Sequence, residues 1–256
     1  MNSRERITAL IRGGNSDVPA WFAYFRNEEF DFLLKFVESQ KPDAIVLSNL
    51  SNAGTVLGVL GSEGPAILVE TLNPFGLCLS ENVDINAELR NNPVQGNEIL
   101  SEMVDRVSIH IDEIMNSGAD GVFYRLIGAE PKYTSPMQYG GYYMEHDNNL
   151  LSRVKDARFN VLFVEGGDGV YMDFVHDVPA SLLAWDEKSS GLTFDEVKQY
   201  HSGALACGME HDIAHAWEKC NQTGIVFFGV FDKINDFDFE AFNKELKQLR
   251  SPIAYD

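Results

Sequence analysis

The sequence predicts an α/β fold, a single (β/α)8 barrel. Short apolar runs alternate with helical stretches at least seven times along the 256 residues, the pattern of parallel strands joined by crossover helices. Seven or eight such units favour a closed barrel over an open sheet, and one barrel needs roughly 250 residues. No internal repeat, low-complexity tract or linker divides the chain, so 1–256 reads as one domain, with 1–40 as N-terminal helices packed on the barrel.

Each element has a local reason. Ser3 can cap a first helix over Arg4 to Arg12, and Gly13-Gly14 ends it. DVPAWFAYF, with Pro19 and its aromatics, reads as an extended segment lying on the body. Asn27 to Gln40 is a second helix, with Phe30, Leu33, Leu34 and Val37 at helical spacing. AIVLSN is a strand, Leu50 to Gly64 is glycine-rich and ambiguous, and AILVETL is the next strand. Asn73-Pro74-Phe75-Gly76 reads as a turn. Pro93 to Ser117 is a long amphipathic helix whose buried stripe is Ile99, Met103, Val107, Ile111 and Ile114; Gly118 stops it and GVFYRL follows as a strand. Ser135-Pro136 opens a helix running to about Asp156. NVLF and Val164 form a buried strand that runs into Glu165-Gly166-Gly167-Asp168. A short helix over Gly169 to His176, the strand SLLAWD, a helix capped by Thr193 and the strand GALACG come next. His211 to Cys220 is a helix, IVFFGV a strand, and Phe237 to Leu249 a closing helix.

The candidate site residues stand at strand ends, where α/β folds present chemistry. Glu165 and Asp168 could form an acid–base pair or bind a hard metal; alternatively Asp168 caps the next helix. Tyr124 could donate to a substrate oxygen. Arg125 could clamp a carboxylate bidentately or neutralise a neighbouring acid. Asp186 could hold substrate and Trp185 could stack on a flat ligand, or the two are a turn residue and core. Asn73 could bind ligand, with turn building the simpler role. His211 and His215, four apart, could share a metal, but no third ligand lies nearby and solvated helix histidines are the simpler reading. Cys207 is a nucleophile or a small buried side chain.

Bulk properties exclude some classes. A formal net charge of -19 opposes binding to nucleic-acid phosphates or an anionic membrane surface. Three scattered cysteines imply no disulfide framework, and a reducing cytoplasm is the expected location. The first residues lack the apolar core of a signal peptide, and no apolar run nears the ~20 residues of a membrane span. P-loop, G-x-S-x-G and G-x-G-x-x-G motifs are absent.

Several segments, in this order, resemble the uroporphyrinogen decarboxylase superfamily, which includes the corrinoid-dependent methyltransferases. MNSRERITALIRGGNSDVPAWF resembles the family's opening. GADGVFYR is similar to its "G-A-D-G-I-x-Y" strand, SPMQYGGYYMEHDNNLLSRVKDARFNVLFVEGGDG to its helix leading into "V-x-L-H-x-C-G", and LLAWD with GALACGMEHD to "x-x-D-W … V-x-G-G-x-D". The resemblance implies a TIM barrel with its site at the strand C-termini. It also implies methyl transfer to or from a small-molecule substrate, with a corrinoid either bound or presented by a carrier protein. In that role Glu165 is the acid, base or orienting group, Tyr124 a hydrogen-bond donor and Asp186 a positioning residue. Members that use zinc have His and Cys where this chain has Phe163 and Glu165, and a further Cys is replaced around Gly229-Val230, so zinc is not expected. The propionate-gripping "R-Q-A-G-R-Y" of the decarboxylases has only Arg26 as its counterpart. The chain is shorter than full-length members between AIVLSN and AILVETL, so the N-terminal part of the barrel is expected to be shortened or incomplete. Two alternatives stay open: a decarboxylase (a lyase) acting on a tetrapyrrole or other carboxylated ring, gripped by Arg125 and Arg26, and a non-catalytic binding or assembly barrel. A homodimer is compatible with either.

Overall fold

The computed structural model describes residues 1–14, 20–25, 30–176, 178–201, 203–207, 226–231 and 244, with 207 and 226–231 as backbone. The strands are β1 (Ala20–Phe25), β2 (Ala44–Leu47), β3 (Ala66–Leu72), β4 (Gly121–Leu126), β5 (Val161–Val164), β6 (Leu182–Trp185), β7 (Ala204–Cys207) and β8 (Val226–Phe231). All neighbours pair in parallel, in the order β7-β6-β5-β4-β3-β2-β1-β8. The two ends of that order, β7 and β8, lie against each other. Helix α1 (Ser3–Ile11) precedes β1, and α2 (Phe30–Gln40), α3 (Leu50–Leu60), α4 (Pro74–Ser80), α5 (Ile85–Asn91), α6 (Pro93–Asn116), α7 (Pro136–Tyr142), α8 (Met144–Ser152), α9 (Glu187–Ser190) and α10 (Phe194–Val197) lie in the crossovers.

Side-chain alternation along each strand divides the core into two. One cluster takes every second residue of β1 to β7, including Phe22, Tyr24, Val46, Leu68, Phe123, Phe163 and Ala184, and among the described residues the helix contributing to it is α1, through Ile7 and Leu10. A cluster fed by so many successive parallel strands is the concave side of a curled sheet. The other cluster, with Ile45, Val69, Tyr124, Leu162 and Trp185, packs against α2 to α8 and α10. Both faces of the strands are therefore apolar, as parallel sheets require.

Helix α1 closes the end of the sheet where the strands begin. Asn2, one residue before the expected cap, forms a capping box with Glu5. Arg4 then reaches Asp120 (3.1 Å) and the carbonyls of Gly61, Ser62 and Gly64. Arg6 pairs with Asp43, whose other oxygen accepts from the Trp21 amide at 3.0 Å. Asp120 in turn accepts from the Ile67 amide at 2.9 Å. These two arginines tie the helix to the starts of β1, β3 and β4.

Several expectations are corrected. AWFAYF is not a segment lying on the body but β1, a central strand flanked by β2 and β8. The ambiguous 50–64 stretch is α3, capped by Asn49 and ended by Gly61 at φ 64°. It makes β2-α3-β3 a complete unit, so no strand is lost there. Asn73 opens α4 instead of a plain turn. The helix expected to reach Asp156 divides at Tyr143 and ends at Ser152. Gly169 to His176 contains only the 3-10 turn Met172–Val175, without a side-chain cap. The helices expected over 211–220 and, save residue 244, over 237–249, and with them His211, His215 and Cys220, lie outside the described residues, as does Arg26.

Among the described residues no helix is long and apolar enough to cross a membrane.

Candidate active site

Polar side chains gather on the concave side where β3, β4 and β5 end. Alternation along AILVETL puts Glu70 on the same side as Leu68; along GVFYRL it puts Arg125 with Phe123; and past β5 it puts Glu165 with Phe163. The three meet. Arg125 donates from Nε (2.8 Å) and Nη2 (2.5 Å) to Glu165, and from Nη1 (2.5 Å) to Glu70. Tyr24 at the end of β1 donates its hydroxyl to the other Glu70 oxygen at 2.7 Å, and the guanidinium carbon of Arg125 stands 6.0 Å from the Tyr24 ring.

Their chemistry follows from charge and depth. Two carboxylates flank the one guanidinium. Burial works against the Arg125 cation, but Glu165, Tyr24 and Glu70 more than offset it and hold its pKa above the usual arginine value. Arg125 is therefore a fixed cation. The side chains of Arg125 and Glu70 are 14% and 12% exposed, against 31% for Glu165, which makes Glu165 the most accessible member of the trio. Below it the interior is filled by stacked Phe123 and Phe163, 5.5 Å apart. Beside Glu70 a cleft of about 340 Å3 opens between β3 and α6, lined by Ser48, Glu70, Thr71, Arg106 and His110.

The other expected site residues fall elsewhere. Tyr124 does not line this mouth: adjacent residues of a strand point to opposite faces, so Arg125 faces in and Tyr124 faces out. There its hydroxyl donates to Asp147 of α8 at 2.6 Å, as does that of Tyr139 at 2.6 Å. Burial pushes the Asp147 carboxyl up to about 6 despite these donors and Asn73. Asn73 is buried, and its side chain ties α4 to the loop after β4 through Gly76 and Ile127. Trp185 also faces out, donating to the Leu192 carbonyl at 2.9 Å, so it neither stacks in the mouth nor plugs it. Asp186 is half-buried, caps α9 through the Lys188 and Ser189 amides and accepts from the Ser189 hydroxyl. Asp168 is exposed in the turn after β5, where Gly167 donates its amide to buried Glu130 at 2.8 Å. Cys207 ends β7; its side chain lies outside the described residues.

Two members of the mouth, Glu70 and Tyr24, were not singled out from the sequence. Glu70 had a signal: a lone carboxylate within the apolar run AILVETL. Tyr24 had none, since AWFAYF carries no alternation. Among the described residues no group of three His, Cys, Asp or Glu side chains could hold a metal ion.

No family model matches the sequence, and no curated protein matches it. Solved structures do. A methyltransferase from Methanosarcina mazei superposes over 98% of each chain with a TM-score of 0.77 at 12% identity. Old Yellow Enzyme from Pichia sp. matches 89% of this chain and 83% of its own with a TM-score of 0.52 at 10% identity. A HpcH/HpaI aldolase/citrate lyase family protein from Burkholderia cenocepacia matches 98% and 100%, with a TM-score of 0.50 at 10% identity. At such identities the likeness is one of fold: a curled sheet of parallel strands with alternating helices, shared along its whole length with a methyltransferase.

Proposed function

We propose that this chain is a TIM-barrel enzyme of the kind the sequence resembles, catalysing corrinoid-linked methyl transfer to or from a small molecule without zinc. In this reading β7 and β8 pair and close the barrel. The observation that carries the proposal is the Glu70–Arg125–Glu165 trio, a charged group built on the concave side at the C-terminal ends of successive strands. The whole-length fold likeness to a methyltransferase supports it.

The residues would work as follows. Arg125 is locked by two carboxylates and holds Glu165 in place. Glu165, the most open of the three, faces the bound molecule. When an acceptor X–H takes a methyl group, the X–C bond forms, the donor–carbon bond breaks and the X–H proton must leave; Glu165 receives it and passes it to water. A corrinoid would supply or take up the methyl group. These residues fit handling of the small molecule, and the corrinoid would be either bound at the mouth or presented by a carrier protein.

The occupied Arg125 weighs against the decarboxylase alternative. A substrate carboxylate would have to displace Glu70 or Glu165 from Arg125 and then sit beside the displaced acid. The non-catalytic alternative is motivated by the missing His and Cys; a mouth plugged by both Phe163 and Trp185 would favour it, and Trp185 faces away from the mouth.

The test is an optical titration with methylcobalamin in the presence of thiols and amines. Acceptor-dependent loss of the methyl–cobalt spectrum is expected, slowed at least ~100-fold in Glu165→Gln, the scale of lost proton transfer. Full activity in that variant removes Glu165 from the chemistry. No spectral change with any acceptor, carrier protein included, sinks the methyl-transfer reading.

A further inference from the structure

A second cleft lies at the opposite end of the sheet, where the strands begin. It measures about 520 Å3 and is formed between the end of α1, α10 and the start of β7, a size that suits a small-molecule site. Its polar lining is basic: Arg12, Lys198 and His201, with no carboxylate among the described residues. In a chain with a net charge of -19, such a local excess of cations is unexpected. The apolar part of the lining comes from Leu10, Phe194 and neighbouring aliphatic residues.

His201 is the telling residue. It is only 7% exposed, and neither ring nitrogen has a hydrogen-bond partner among the described residues. A buried imidazole normally satisfies at least its N–H. Space for the ring is kept by Gly203, where a Cβ would come within 2.5 Å of Nε2. Burial, and then His176 nearby, push the His201 pKa down, so without a ligand the ring is held neutral with its donor unmet. An oxyanion in the cleft would accept from that donor and counter the positive charges of Arg12 and Lys198.

We propose that this cleft binds a small molecule with an oxyanion head, a phosphate or a carboxylate, on an apolar body. The site is separate from the mouth and does not depend on the methyl-transfer reading.

The test is calorimetric titration with phenyl phosphate, benzoate and inorganic phosphate, alongside the ring 15N signals of His201. Phenyl phosphate or benzoate should bind saturably and shift the His201 signals, and comparison of the two identifies the preferred head group. Weaker binding of inorganic phosphate would reflect the apolar walls. Lys198→Gln and His201→Gln should each weaken binding about tenfold, the loss of one charge-assisted hydrogen bond. If His201→Gln does not fold, Lys198→Gln and Arg12→Gln, both at exposed positions, decide. The proposal is overturned if none of the probes saturates below about 10 mM, if the cleft variants bind as the parent does, or if Arg125→Gln abolishes binding and so moves the anion to the mouth.

Discussion

At the scale of single residues, the outward-facing Tyr124–Asp147–Tyr139 group separates structure from catalysis. Tyr124→Phe removes one of two hydroxyl donors from a fully buried carboxylate, at an expected cost of about 1–3 kcal/mol. Denaturant unfolding should register that loss while kcat stays unchanged; a selective collapse of kcat would return Tyr124 to the reacting centre. The same group has a pH signature. The folded pKa of Asp147 is raised from 3.8 to about 6, so the fold favours the protonated acid. Its stabilising effect is complete below pH 4 and is lost as pH rises through 6, about 3 kcal/mol at ~1.4 kcal/mol per pKa unit. Asp147→Asn cannot titrate. The stability of the parent relative to Asp147→Asn should therefore fall between pH 4 and 7, and a difference that stays flat would show that the carboxylate keeps its ordinary pKa. The inward placement of strand-end side chains was legible in the sequence where alternation could be counted, as for Arg125 and Glu165. Strand-end position misled at Tyr124 and Trp185, which sit next to inward positions: a strand end marks a location, but only its register with the core assigns a face.

At the scale of elements, α1 is held by charge as well as by Ile7 and Leu10. Arg4→Ala removes one donor from Asp120, which keeps the Ile67 amide and Arg158, and the donor to three loop carbonyls, and should destabilise the fold by about 1–3 kcal/mol. A thermal melt within a degree of the parent would show that the apolar contacts of α1 suffice. Helices with capping signals and a regular stripe, α6 above all, were readable because local propensity and tertiary packing agree there. α3 was not, since its Gly54 and Gly58 face open space and its sequence has only Ala53 and Val56 as fully buried residues. β1 was missed for the opposite reason: all six residues are buried, and a strand covered on both faces loses the period of two that identifies strands.

At the scale of the whole molecule, the excess of 39 acidic over 20 basic residues acts as a long-range strain. Raising sodium chloride from about 10 to about 150 mM shortens the screening length from ~30 to ~8 Å and should raise the melting temperature. An unchanged or lower value would mean that local pairs such as Arg4–Asp120 outweigh the global repulsion. The order of the strands has a further consequence, during synthesis. β1 pairs with β2, which follows closely, and with β8, which lies 206 positions later (Ala20↔Val226). At ~5–20 residues per second, roughly 200 residues take about 10–40 s to emerge. For that interval the nascent chain carries AWFAYF with one edge unpaired, an aromatic template for wrong partners. Translation speed and chaperone supply, more than the stability of the finished fold, should then set how much of this protein a cell recovers intact.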